Sequence, residues 1–183
     1  EAKVRQHIMK VNYQDPWMEL VLGEIKTNLD AYQAYPAVLV YYQIYQMLSK
    51  REETRLYFTA LAQLQAQTGL FPKRELVHLY IYFMNYCISQ INHGHSIFLQ
   101  EVFKLYKAQL AQELLYEEGL LSEWDYKNIV TTAIRLGELD WVYQFIESYR
   151  ERLPAEAREN AYRFNLAAYH YANGTYGEVL NLL

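Results

Sequence analysis

Only 7 glycines and 4 prolines punctuate 183 residues, so this chain has few places to turn. A β-rich domain places Gly, Asn or Asp turns roughly every 8–12 residues, whereas long helices need far fewer. Where these residues do occur, they bracket apolar runs of helical spacing. Residues 1–12 carry Val4, Ile8 and Val11 on one side. Asp15-Pro16 then offers a cap followed by proline at the first helical position. Beyond it Met18, Val21, Leu22, Ile25, Leu29 and Tyr32 fall at offsets 0, 3, 4, 7, 11 and 14, a single helical stripe.

The same reading continues along the chain. Pro36 opens a helix to about Ser49 that is apolar nearly all round, which predicts packing on several sides. Ser49-Lys50-Arg51-Glu52 has capping-box spacing, so the next helix is expected to start there and run to Thr68-Gly69. Pro72 opens a long helix with two stripes: Leu76, Leu79, Tyr80, Phe83 and Cys87, and Val77, Ile81, Met84 and Ile88. Two stripes predict a sandwiched helix. Gly94 ends it, and Leu99, Val102, Phe103, Tyr106 and Leu110 mark its successor. Ser122 caps a helix with the stripe Tyr126, Ile129, Val130, Ala133 and Ile134; Gly137 stops it. Leu139, Val142, Ile146, Tyr149 and Leu153 form its partner, and Pro154 and Gly174 bracket another helix before a last one from Thr175. About ten helices joined by short loops must lie antiparallel to their sequence neighbours. The expected fold class is all-α with strand essentially nil, and hairpin breaks near Gly94, Gly137, Gly174 and residues 50–52.

Composition narrows the function. The 52% hydrophobic and 21% charged content is that of a globular chain. The 19 tyrosines suit helix–helix contacts, and equally a groove that needs a ring with a polar tip. A net charge of -4 gives no counterion-release drive toward nucleic acid. The single cysteine, Cys87, has no internal disulfide partner and is expected to be a buried, inert thiol. The longest apolar stretch, from Ala37 to Tyr42, is too short for the roughly 20 residues that span a bilayer.

A repeat is visible. Gly137 and Gly174 stand 37 residues apart, with Ile129-Val130, Leu139 and Val142 matching Leu166-Ala167, Tyr176 and Val179. Here the sequence resembles the tetratricopeptide repeat family, whose unit is a helix pair of roughly 34 residues. Tyr126 stands at the family's Trp position, Ile129-Val130 at its Leu-Gly pair, Gly137 at the inter-helix turn and Pro154 at the closing proline. Val142 and Val179 replace its small crossing residue. A looser unit surrounds Gly94 through Phe83, Tyr86, Cys87, Leu99, Phe103 and Tyr106. The clearest units are thus 72–117, 123–154 and 155–183; residues 1–69 show helix pairs without the motif. The resemblance implies one domain over 1–183: a right-handed superhelical solenoid of antiparallel helix pairs that binds another protein or peptide in a groove lined by each pair's first helix. Carried over by position, the groove face is Lys127, Thr131, Ile134 and Arg135 in one unit, and Phe164, Asn165, Ala168 and Tyr171 in the next. Lys127 and Asn165 match positions at which carboxylate-binding members hold a peptide terminus, while Thr131 replaces a second expected asparagine.

Chemistry-bearing motifs are sparse. His93-Gly94-His95 lacks the third and fourth ligands that zinc requires. Glu117-Glu118 and Glu147/Glu151 read as solvated helix faces, not as carboxylates paired in a cleft. Gly-x-Ser-x-Gly and phosphate-cradling glycine loops are missing from the sequence. The expectation is a binding scaffold and not an enzyme, with no catalytic residue, cofactor or metal, no nucleic acid or membrane partner, and a cytoplasmic location. Two alternatives stay open. One is RNA binding of the pentatricopeptide kind, which the 126–154 unit superficially resembles; the other is a structural or regulatory spacer in a larger protein. A first residue of Glu, and a final helix only about two turns long at Leu183, suggest that both ends are cuts in a longer chain.

Overall fold

Helix ends decide where this chain folds back, and three of them share one device. In the computed structural model, which describes residues 16–182, Gly94, Gly137 and Gly174 adopt φ of 91°, 76° and 76°. After each, the next backbone N–H reaches five residues back: His95 to the Gln90 carbonyl, Glu138 to Ala133 and Thr175 to His170, at 3.0, 3.0 and 2.9 Å. This is the Schellman motif, which satisfies carbonyls left over at a helix end. A Cβ built on Gly137 meets nothing within 4 Å, so substitution there costs backbone strain alone. Gly137→Ala is expected to lower stability by about 1–2 kcal/mol in chemical unfolding; an unchanged midpoint would mean that the turn relaxes freely.

Nine α-helices are present among the described residues: α1 (Pro16–Thr27), α2 (Pro36–Ser49), α3 (Arg55–Ala66), α4 (Lys73–Asn92), α5 (Ile97–Ala111), α6 (Glu123–Arg135), α7 (Leu139–Tyr149), α8 (Ala155–Ala172) and α9 (Tyr176–Leu182). The chain divides into two compact units that part between Tyr86 and Cys87, inside α4. The helix expected over 1–12, and Asp15 as a cap, lie outside the described residues. No helix among the described residues is long and apolar enough to cross a membrane.

In the first unit, α1 begins at Pro16 as its spacing predicts but stops at Thr27, and the stripe expected through Tyr32 is broken. The Thr27 hydroxyl donates back to the Gly23 carbonyl and Asn28 Nδ2 to Glu24 Oε1, local bonds that compete with helix continuation. Ile25 is buried, Val21 is exposed, and Tyr32 falls on the following 3-10 turn, Ala31–Ala34. Helix α2 has no exposed residue from Pro36 to Leu48, as its all-round apolar surface predicts, and it packs on α3.

The capping box does not form. Ser49 completes the last turn of α2, so its hydroxyl cannot open the next helix; α3 starts at Arg55 behind Thr54. The intervening turn is pinned by the Tyr86 hydroxyl, which donates to the Arg51 carbonyl at 2.9 Å. Tyr57 fills the centre of this unit, stacked on Tyr86 at 5.3 Å and edge-on to Phe83 and Phe58 at 5.8 and 5.0 Å. Helix α4 is not sandwiched. Its first stripe is buried together with Tyr82 and Tyr86, but Ile81 and Ile88 of the second stripe are exposed and Val77 and Met84 only half-buried. One broad covered face suffices because Tyr82 and Tyr86 widen it.

In the second unit, α6 packs on α5, α7 and α8, and α8 packs on α7 and α9. Cys87 is buried. A feature with no helical counterpart joins α5 to α6: Tyr116–Glu117 pairs antiparallel with Leu120–Leu121. Glu118 and Gly119 take φ of 51° and 83°, the two positive values of a type I′ hairpin turn. Glu117 and Glu118 therefore sit on a small β-ribbon and not on a helix face. Ahead of it Glu113, at φ 55°, ends α5 in the left-handed conformation usually left to glycine, and Leu114 N–H closes on the Gln109 carbonyl at 2.8 Å.

Candidate functional site

The start of α6 is set by Ser122, whose extended backbone places Oγ to accept the Asp125 N–H at 3.0 Å while its hydroxyl donates to Asp125 Oδ2. From that start the helical period assigns two faces. Tyr126, Ile129, Val130 and Ala133 turn inward and are buried. The Tyr126 hydroxyl crosses to the Ile146 carbonyl at 2.8 Å, and its ring lies 5.3 Å from that of Phe145. Trp124 and Lys127, three residues apart on the opposite face, are exposed. Helix α8 does the same: Leu166 and Ala167 are buried, while Phe164 is 59% and Tyr171 66% exposed.

Between the two helices lies an open cleft of about 690 Å³. Glu123, Trp124 and Lys127 of α6 line one wall; Glu156, Asn160, Phe164 and Asn165 of α8 line the other. The α6 wall comes from the first half of its helix, and the α8 wall from the first three turns of its own. The Lys127 ammonium lies 5.5 Å from the Phe164 ring centre and 5.8 Å from that of Trp124, within cation–π range of both. Asn165, only 2% exposed, donates from Nδ2 to the Ala161 carbonyl at 2.8 Å, and its buried Oδ1 has no partner. An unmet buried acceptor costs on the order of 1–3 kcal/mol.

A second hollow of about 460 Å³ lies on the other side of Phe164, against α9, bordered by Arg163, Ala168, Tyr171 and Leu182. Tyr171 meets Tyr176 edge-on there at 5.6 Å, and Arg163 Nε donates to the Leu182 carbonyl at 3.0 Å.

Of the residues expected to face a groove, Lys127, Phe164 and Asn165 meet in the cleft, and Ala168 and Tyr171 border the second hollow. Thr131 and Arg135 are exposed and Ile134 half-buried further along α6, and they border neither hollow. Sequence reasoning missed Glu123, Trp124, Glu156 and Asn160. The signal was present for two of them, since Trp124 precedes Lys127 by three residues and Asn160 precedes Phe164 by four, the spacings that share a helix face.

Four of the other ionisable groups singled out above are engaged locally. His93 Nδ1 lies 2.7 Å from the Ser89 carbonyl and His95 Nδ1 2.6 Å from Gln90 Oε1. Glu147 accepts the Tyr162 hydroxyl at 2.9 Å, and Glu151 pairs with Arg158 at 2.9 Å. Among the described residues no three His, Cys, Asp or Glu side chains cluster as a metal site would require. No family model, curated protein or solved structure matches the chain.

Proposed function

We propose that this chain is a protein-binding module whose α6–α8 cleft takes up a peptide segment of another protein. The observation that carries this reading is the cleft itself: two exposed aromatic rings flank a hollow that is also lined by two carboxylates and one ammonium. Isolated exposed rings are ordinary on a surface; two rings gathered with charged groups in one cleft are the makings of an interface anchor. A tetratricopeptide-like arrangement of α6–α9 as two successive helix pairs is part of the proposal, supported by the matching Gly137 and Gly174 turns and by the packing of α6 on α8. The charge balance favours protein over RNA as the occupant, because two carboxylates border the cleft beside one ammonium.

Trp124 and Phe164 are 67% and 59% exposed, so removing both costs little stability. The Trp124→Ala/Phe164→Ala double variant is expected to melt within a degree or two of the parent and to lose about 30-fold or more in affinity, the scale of an aromatic anchor. Affinity capture with parent and variant side by side checks this. Partners retained equally by both would place the binding surface elsewhere.

A further inference from the structure

The geometry points to a basic side chain, an arginine of the bound segment, as the group that enters the α6–α8 cleft and displaces the Lys127 ammonium from between Trp124 and Phe164. This inference rests on the peptide-binding reading above and gives it a sign. Two carboxylates, Glu123 and Glu156, border the cleft, and Asn165, whose Oδ1 is buried without a partner, lies in its α8 wall. Neither carboxylate forms an ion pair among the described residues. Both stand in first helical turns, where the helix dipole favours an anion. That accounts for each acid on its own helix; the packing of α6 on α8 is what brings the two to one hollow.

The single cation present, Lys127, is drawn to the rings and lies within ion-pair reach of neither acid. Its stem is long and flexible, so it leaves by a change of rotamer. A guanidinium answers the whole set. It is planar and stacks on an aromatic face, carries five donors for carboxylates, and loses less solvation than an ammonium on entering. An acidic side chain or a peptide C-terminus would add a third negative charge beside Glu123 and Glu156. The site chemistry thus runs opposite to a carboxylate-binding role for Lys127.

The test uses short end-blocked alanine peptides with a central arginine, lysine or glutamate, together with an all-alanine peptide ending in a free carboxylate. Binding is followed through the Trp124 indole N–H signal in NMR spectra, assigned with Trp124→Phe. The arginine peptide is expected to shift that signal at the lowest concentration. Glu123→Gln/Glu156→Gln should weaken it about tenfold or more, and Lys127→Ala should tighten it severalfold by vacating the rings. All these side chains lie at the cleft surface, and unchanged melting curves confirm that the variants fold. Preference for the glutamate or free-carboxylate peptide, or loss of binding in Lys127→Ala, overturns the inference and leaves the cleft a binding site of opposite sign. If no peptide moves the Trp124 signal while the protein captures a partner through another surface, the cleft reading falls and this inference with it.

Discussion

Replacing Tyr126 with alanine is expected to cost the second unit about 3–5 kcal/mol, the range for deleting a large buried aromatic ring. Tyr126 is fully buried, its ring is 5.3 Å from that of Phe145, and its hydroxyl spans from α6 to the Ile146 carbonyl of α7. Ile146 sits in the last turn of α7, where carbonyls run out of intrahelical donors, so the hydroxyl meets a need that the helix cannot. Tyr126→Phe separates the two contributions. It keeps the ring and strips one hydrogen bond from a buried acceptor, at about 1–3 kcal/mol. Chemical denaturation of both variants should therefore show the alanine change costing more than the phenylalanine change. Equal losses would mean that the hydroxyl alone ties α6 to α7 and that the ring contributes nothing by packing. Tyr126→Phe is also expected to spare the cleft, since Trp124 and Lys127 occupy the opposite face of α6.

The helical signal was legible in proportion to how local its cause is. Gly137 and Gly174 could be placed from the sequence because a left-handed helix end all but demands glycine, and Ser122 because an N-cap is settled within three residues. Glu113 and Glu118 take the same left-handed conformation without glycine, so the end of α5 and the β-ribbon after it passed unseen. Ser49 failed for a different reason. Its spacing to Glu52 is that of a capping box, but α2 runs on through it, and the Tyr86 hydroxyl fixes Arg51 from 35 residues away. The two stripes of α4 failed likewise: periodicity says which residues share a face, and only tertiary contact says which face is covered.

The candidate site divides along the same line. Lys127, Phe164 and Asn165 were reached through a repeat register that equates positions on α6 and α8, and the structure brings those three together. Thr131, Ile134 and Arg135 follow from the same register yet lie beyond the cleft, because on α6 the hollow reaches only as far as Lys127. Glu123 and Glu156 read individually as ordinary first-turn acids. Their joint meaning appears only once α6 and α8 run side by side, and the unmet Oδ1 of Asn165 is a property of folded packing that no spacing rule encodes.

Alkali should unfold the second unit before it has finished titrating its tyrosines. Burial, with the negative charge of Asp125 adding to it, pushes the Tyr106 hydroxyl up to about 12. Burial is also the leading cause at Tyr126, where the field of Tyr162 and Glu147 outweighs the opposing Arg150, and at Tyr162, which donates to Glu147. Tyr116 is raised by burial and then by its hydrogen bond with Tyr149. In the unfolded chain these groups titrate near pH 10. Above that value the unfolded state sheds protons that the folded state keeps, so stability falls as pH rises, and the loss from each group is complete once its folded value is passed. For Tyr106 alone the loss between about pH 10 and pH 12 is roughly 2–3 kcal/mol, a large share of a marginal domain stability, and the other three act in the same direction. Tyrosinate absorbance and helix circular dichroism followed together should show a first group of tyrosines titrating near pH 10 with the helices intact. A second group should then ionise in step with helix loss. Tyr106→Phe deletes one of these contributions while keeping the ring, so its alkaline midpoint should move to higher pH. A single tyrosinate step near pH 10 that leaves the helix signal untouched would mean that these hydroxyls are open to water and that their burial does not hold the unit together.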